Sequence, residues 1–172
     1  GNAESVISFE QNPDLVGLKN ITPLFDAIVH KRVLKITYKS FKRDTPDKYE
    51  MHPYFLKQYN NRWFLFGLTT ERHQITNLPL DRIENIEILG TTYIDKDEDL
   101  DIEDYFYDVI GVTIENKKVE DIVLEFNEGR YPYVKNKPLH HTQRSYDDEK
   151  RIIIKVIPNK ELYQTLLSFG SA

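Results

Sequence analysis

The chain has 172 residues, 40% of them apolar and 30% charged, and 23 Lys and Arg against 28 Asp and Glu give a formal charge of −5. That is an ordinary globular mix, enough chain for one large domain or two small ones, with no run approaching the roughly 20 apolar residues of a membrane-spanning helix. Cysteine is absent and the seven glycines form no G-x-G-x-x-G or P-loop, which excludes a disulfide framework, thiol chemistry, Cys-ligated metals and the glycine-rich phosphate loops.

In chain order, the first predicted element is a helix. Thr22 is a suitable N-cap and Pro23 suits the first helical position, and Leu24, Phe25, Ile28 and Val29 are expected on one face. Alternation then predicts a strand in which Leu34, Ile36 and Tyr38 point one way and Lys35, Thr37 and Lys39 the other. A polar loop over Lys42–Lys48 leads to a strand over Tyr49–Leu56. Asn60-Asn61 supplies positive φ at little cost, so this strand and Trp63–Leu68 are expected to form a hairpin. Ile75–Leu80 and Ile86–Leu89 read as two more short strands. One helix followed by five short strands predicts a small, strongly bent β-barrel.

Beyond it, Asp101–Val109 reads as a short helix, Val119–Phe126 as a strand and Gly129–Asn136 as a helix. Leu139–Ser145 and Arg151–Ile157 read as paired strands. A last helix is capped by Asn159, buries Leu162, Leu166 and Phe169, and ends at Gly170. The order β-α-β-β-α matches a split βαβ unit lacking its last strand. The fold class is thus α+β. The only methionine is Met51 and Gly1 resembles a tag remnant, so the sequence is expected to be a fragment of a longer protein.

The charge divides unevenly. Residues 19–93 hold twelve Lys and Arg against eight Asp and Glu, and residues 94–172 hold eleven against seventeen. The acidic run Asp95–Asp104 separates them and reads as a solvated linker over 94–108. Domains are expected at 19–93 and 109–172. The net acidity of the whole argues against a polyanion partner, but the first half has the opposite sign.

That half carries four motifs in order: Val33-Leu34-Lys35-Ile36-Thr37-Tyr38, His52-Pro53-Tyr54-Phe55-Leu56, Arg62-Trp63-Phe64-Leu65 and Leu80-Asp81-Arg82-Ile83. Together they resemble the WYL domain of bacterial transcriptional regulators over about residues 19–90, with Phe64 at the centre of the name-giving tripeptide. Asp104-Tyr105-Phe106 with Gly111, His140-His141-Thr142-Gln143 and Leu166–Gly170 are similar to the WCX extension that follows many WYL domains. The resemblance implies a Sm-like, SH3-type barrel and then a truncated ferredoxin-like βαββα domain. It also implies a DNA-binding helix-turn-helix upstream, with residues 1–18 as the connector. A nucleotide or short single-stranded nucleic acid is the implied effector, a homodimer the implied assembly and the cytoplasm the implied location. An oligomerisation module without ligand, or a barrel for a small molecule or peptide, are the other readings.

A polyanion sensor needs cations for phosphate and flat rings for bases. The candidate ligand residues are Tyr38, Lys39, His52, Tyr54, Arg62, Trp63 and Arg82. Arg82 leads them, because a fixed guanidinium suits bidentate phosphate capture. Five of them have a plainer reading. Tyr38 could be core with a wet hydroxyl, and Trp63 a packing anchor. Arg82 could pair with Asp81, His52 could cap a bulge, and Arg62 could be merely exposed. Ile75–Pro79 carries no cation where many family members have one.

Catalysis finds little support, and no cofactor or metal is expected. The five histidines show no H-E-x-x-H spacing. His140 and His141 would face opposite sides of a strand and chelate poorly. The acidic run imitates a calcium loop counted from Asp95, but Leu100 and Phe106 stand where Gly and Glu are needed.

Overall fold

The computed structural model describes residues 17–170. Most of the connector expected over residues 1–18 therefore lies outside the described residues. The chain divides into two units, the first ending at Asp97 and the second starting at Glu98.

The first unit opens with α1 (Ile21–Val29). The helix begins before the expected cap at Thr22, and Asn20 precedes it without a side-chain cap. Asn20 instead donates its amide to the carbonyls of Leu80 at 3.2 Å and Ile83 at 3.3 Å. That tie sets the helix rotation. Asn20, Leu24 and Ala27, spaced i, i+4, i+7, are the buried stripe, whereas Phe25 and Val29, expected inside, are 57% and 56% exposed.

β1 (Val33–Tyr38), β2 (Asp47–Tyr59), β3 (Arg62–Thr69), β4 (Gln74–Pro79) and β5 (Ile83–Leu89) form one sheet in the order β4-β3-β2-β1-β5. All neighbours are antiparallel. Asn60 and Asn61 have φ of 51° and 61°, as a two-residue I′ turn requires, and Tyr59 pairs with Arg62 across them. β2 is long because it serves two partners. Its first part pairs with β1, and from Met51 onward it pairs with β3. Pro53, which cannot donate, sits at the register shift before Phe55.

The sheet does not close into the expected barrel. A 3-10 turn (Leu80–Arg82) follows Pro79 and separates β4 from β5, and no ladder joins these two strands among the described residues. The core beneath α1 is Leu24, Ala27, Leu34, Ile36, Met51, Leu65, Leu78, Leu80 and Ile83, with Tyr38 and Trp63 packed against it. Each fully buried aliphatic side chain contributes about 1.5–3 kcal/mol.

The second unit holds α2 (Ile102–Tyr105), β6 (Glu120–Glu125), α3 (Tyr131–Asn136), β7 (Arg144–Tyr146), β8 (Arg151–Val156) and α4 (Lys160–Ser168). The antiparallel sheet order is β6-β8-β7. Asp101 caps α2 by accepting from the amides of Glu103 and Asp104, but the helix is one turn, shorter than expected. β7 is also shorter than expected. Gln143 Oε1 accepts from the Leu139 amide at 2.9 Å and Thr142 hydrogen-bonds His140 at 2.7 Å, so local side chains hold the backbone out of the ladder. Asn159 caps α4 by accepting from the Leu162 amide and donates to the carbonyls of Ile110 and Thr113. Leu162 is buried as expected, Leu166 and Phe169 only partly. Gly170, at φ 64°, ends the helix in the left-handed conformation anticipated.

Candidate functional site

The end of β1 and the 3-10 turn meet at one corner of the first unit. The Lys39 amide donates to the Arg82 carbonyl at 3.0 Å, which extends the β1–β5 contact past Tyr38. The two segments border a half-open cavity of about 260 Å³ lined by Lys39, Ser40, Phe41, Asp81, Arg82 and Glu84.

Two arginines compete for Asp81, and Arg62 takes it. Arg62 Nη2 donates to both Asp81 oxygens at 2.9 Å. The hairpin turn sets this reach, because it places Arg62 at the start of β3, and β3 packs against the 3-10 turn. The local Asp81–Arg82 pair, the plainer reading of Arg82, is therefore not formed, and Arg62 is not merely solvent-exposed. Arg82 makes no ion pair among the described residues. Its guanidinium lies over the Phe41 ring, and that ring is 91% exposed. A cation over an aromatic face is attracted by the ring quadrupole, which holds Arg82 beside the cavity with its donors uncommitted to a carboxylate.

Tyr38 borders this group. Its ring packs against the core and lies 6.1 Å from Tyr49. Burial pushes the phenol above its ordinary value, and the Arg82 charge opposes that rise. The hydroxyl thus stays protonated at neutral pH and can donate. Lys39 is exposed. Trp63 is half-buried against the core opposite Gln58, which matches its reading as a packing anchor.

Two sequence candidates lie in a different cluster. His52 is 1% exposed, and both ring nitrogens are engaged. Nδ1 accepts from the Ile94 amide at 3.0 Å, so Nε2 carries the proton and donates to Thr70 Oγ1 at 3.1 Å. Thr70 in turn donates to Glu50. Burial lowers the His52 pKa, with Glu50 partly opposing. Tyr54 donates to the Ile94 and Asp95 carbonyls, and Tyr93 donates to the Pro53 carbonyl at 2.6 Å. Burial pushes Tyr93 up to about 12. These groups pin residues 93–95 against β2, so the geometry gives His52 and Tyr54 a structural task rather than a place at the cavity.

Phe41, Ser40 and Glu84 were missed from the sequence. For Phe41 a signal existed, since it is the one ring within Lys39-Ser40-Phe41-Lys42-Arg43. In the second unit, His140 and His141 do not face opposite sides of a strand. They sit in a turn, and their Nε2 atoms both donate to the Tyr107 carbonyl, at 2.9 and 2.8 Å. No group of three or more His, Asp or Glu among the described residues could hold a metal ion. No helix there is long and apolar enough to cross a membrane.

Residues 19–88 match the WYL domain family. Among solved structures, the chain is similar to proteasome accessory factor B/C (PafBC) of Arthrobacter aurescens, with a TM-score of 0.43 and 15% identity. That alignment covers 81% of this chain and 21% of that one, so the chain spans only a small part of the relative. A comparison with curated proteins gives no match.

Proposed function

We propose, from the match of residues 19–88 to the WYL domain family, that this chain is the ligand-sensing part of a bacterial transcriptional regulator and that its effector is a nucleotide or short single-stranded nucleic acid. The observation that carries the reading is Arg82. Arg62 neutralises Asp81, which leaves the Arg82 charge for an anion, and Phe41 beside it offers an exposed ring. Phosphate would meet Arg82 and Lys39, with the Tyr38 hydroxyl as a neutral donor. A base would stack on Phe41 in place of part of the guanidinium. Glu84 would accept from sugar hydroxyls or base amines. The cavity volume of about 260 Å³ lies just below the usual range for ligand pockets, so the site would take one nucleotide unit at most.

On this reading the second unit is ferredoxin-like, and the regulator is a cytoplasmic dimer that reads DNA through a helix-turn-helix elsewhere in the full-length protein. Fluorescence anisotropy with labelled mononucleotides and oligonucleotides tests the effector. Arg82→Ala removes a charge-assisted contact of about 1.5–3 kcal/mol and should weaken binding roughly tenfold or more. Phe41→Ala should remove one stacked base, about 1–3 kcal/mol. No binding at low salt, or binding indifferent to both changes, would refute the proposal.

A further inference from the structure

The second unit holds a side-chain cluster that nucleotide binding does not use. His140 and His141 are consecutive, and on an extended chain their rings would point apart. The Gln143 amide donates to the His140 carbonyl at 3.1 Å, and this turn swings both rings to the same side. Their centroids lie 4.1 Å apart with the planes tilted by 37°. His140 Nε2 is 2.9 Å and His141 Nε2 2.8 Å from one atom, the Tyr107 carbonyl oxygen. Three potential ligand atoms from two distant stretches of chain thus meet at one point.

That spacing suits a metal ion. Two ligands each about 2.1 Å from an ion, and at right angles to each other, are about 3 Å apart. Both nitrogens stand at close to this separation from the carbonyl oxygen. Two imidazoles and a main-chain carbonyl make three ligands without a third acidic or histidine side chain, and water can take a fourth position.

The surroundings of His140 prepare it for this role. The residue is 8% exposed. Its Nδ1 lies 2.7 Å from Thr142 Oγ1, which accepts from the Lys155 amide at 2.9 Å and reaches the Lys155 carbonyl at 3.3 Å. The Thr142 hydroxyl can therefore send its hydrogen to that carbonyl and accept from Nδ1–H, which leaves the Nε2 lone pair bare. Such an outer contact fixes the tautomer of a metal-bound imidazole. Burial lowers the His140 pKa, with His141 adding and the Tyr107 carbonyl and Asp108 opposing, so the ring is neutral at pH 7, as ligation requires. His141 and Tyr107 are exposed, which leaves one side open to the ion and to water. The Tyr107 ring, 4.3 Å from that of His141, steadies the exposed imidazole.

The ligand set also selects the ion. Imidazole suits zinc, nickel and copper, whereas magnesium and calcium prefer oxygen shells. We infer that His140 Nε2, His141 Nε2 and the Tyr107 carbonyl bind a divalent transition-metal ion of this class, with water completing the shell. The bound ion would tie the segment after α2 to the turn before β7. The site lies wholly in the second unit and is independent of the nucleotide reading.

Zn2+ titrated into the tag-free chain by isothermal titration calorimetry should show one site of micromolar affinity, and Cu2+ should bind more tightly. The electron paramagnetic resonance spectrum of the Cu2+ form should carry splitting from two nitrogens. His141→Ala replaces an exposed residue, so the fold is kept. It should weaken Zn2+ binding by about tenfold or more, at least what loss of an outer contact costs. Thr142→Val should also weaken it by about tenfold, whereas Thr142→Ser, which keeps the hydroxyl, should bind as the unaltered chain does. Circular dichroism verifies that each variant folds. His30→Gln/His73→Gln removes the two other exposed histidines and should change nothing. Zn2+ should raise the thermal midpoint of the unaltered chain more than that of the His141→Ala variant at the same concentration. Binding at millimolar Zn2+ only, affinity indifferent to His141→Ala, a copper spectrum with one nitrogen or none, or loss of the site in His30→Gln/His73→Gln would overturn the inference.

Discussion

Asp81 can balance only one of the two arginines near it, and its choice decides what Arg82 is free to do. Both partners of the Arg62–Asp81 pair are partly exposed, so the pair itself is worth only about 0.2–1 kcal/mol in stability. Its effect on binding should be larger. Without Arg62, Asp81 carries an uncompensated charge next to Arg82 and draws the guanidinium off Phe41. Arg62→Gln should therefore weaken nucleotide binding roughly tenfold, with little change in thermal stability, although Arg62 does not line the cavity. Adding Asp81→Asn should restore most of the loss, because the competing carboxylate is gone. Additive losses in that double-mutant cycle would show that the two side chains act independently.

His52 gives a second prediction at the same scale. The neutral ring is required, since Nδ1 accepts from the Ile94 amide and a proton there would face a donor. Its pKa is lowered on folding, chiefly by burial, so the unfolded chain binds this proton more readily than the folded one. The contribution of His52 is therefore fully present above the unfolded value of about 6.5 and is lost as pH falls through the lower folded value. Trp63 is the only tryptophan, so its fluorescence reports on the first unit, whereas His140, whose pKa is also lowered by burial, lies in the second. Urea midpoints read this way should drop between about pH 8 and about pH 5.5. His52→Gln should be less stable but flatter over that range, and an unchanged slope would mean that another group titrates.

At the scale of elements, β2 and β3 approach each other closely at Gly67. Gly67 pairs with Pro53, and a Cβ on Gly67 would press into the His52 carbonyl and crowd Met51. Backbone cannot yield as a flexible side-chain end can, so Gly67→Ala should cost about 1–3 kcal/mol, measured as a lowered urea midpoint at unchanged slope. The elements legible in the sequence were those fixed by near neighbours. The Asn60-Asn61 turn, the alternating β1, and the Asn159 and Gly170 ends of α4 all depend on local chemistry. Those misread depend on distant partners. The rotation of α1 follows from Asn20 reaching Leu80 and Ile83, some sixty residues away. The sheet stays open because a 3-10 turn, not a continuous strand, follows Pro79. The site shows the same division. Tyr38, Lys39 and Arg82 were legible as cations and a ring within motifs. His52 and Tyr54 carry similar chemistry, yet residues 93–95 claim them, and nothing local to β2 announces that strap. Phe41 lies in a loop whose contact with Arg82 is set by tertiary structure alone.

For the whole molecule, the division of charge should govern how the effector is met. Every residue lining the cavity belongs to the first unit, which has its own core. The fragment 1–97 is therefore expected to fold and to keep the site. Residues 1–97 carry thirteen Lys and Arg against thirteen Asp and Glu, whereas residues 98–172 carry ten against fifteen. An anionic ligand approaching the intact chain meets both fields. Removing the acidic unit should leave the short-range contacts with Arg82 and Phe41 as they were and take away a long-range repulsion. The fragment should thus bind a labelled nucleotide more tightly than the full chain at low ionic strength, mainly through faster association. The advantage should shrink as salt rises, because the Debye length falls to about 8 Å at physiological ionic strength and about 3 Å at 1 M. Stopped-flow association rates for both proteins across a salt series measure this directly. A folded fragment whose affinity falls at every salt concentration would show that the second unit contributes contacts to the ligand rather than only charge.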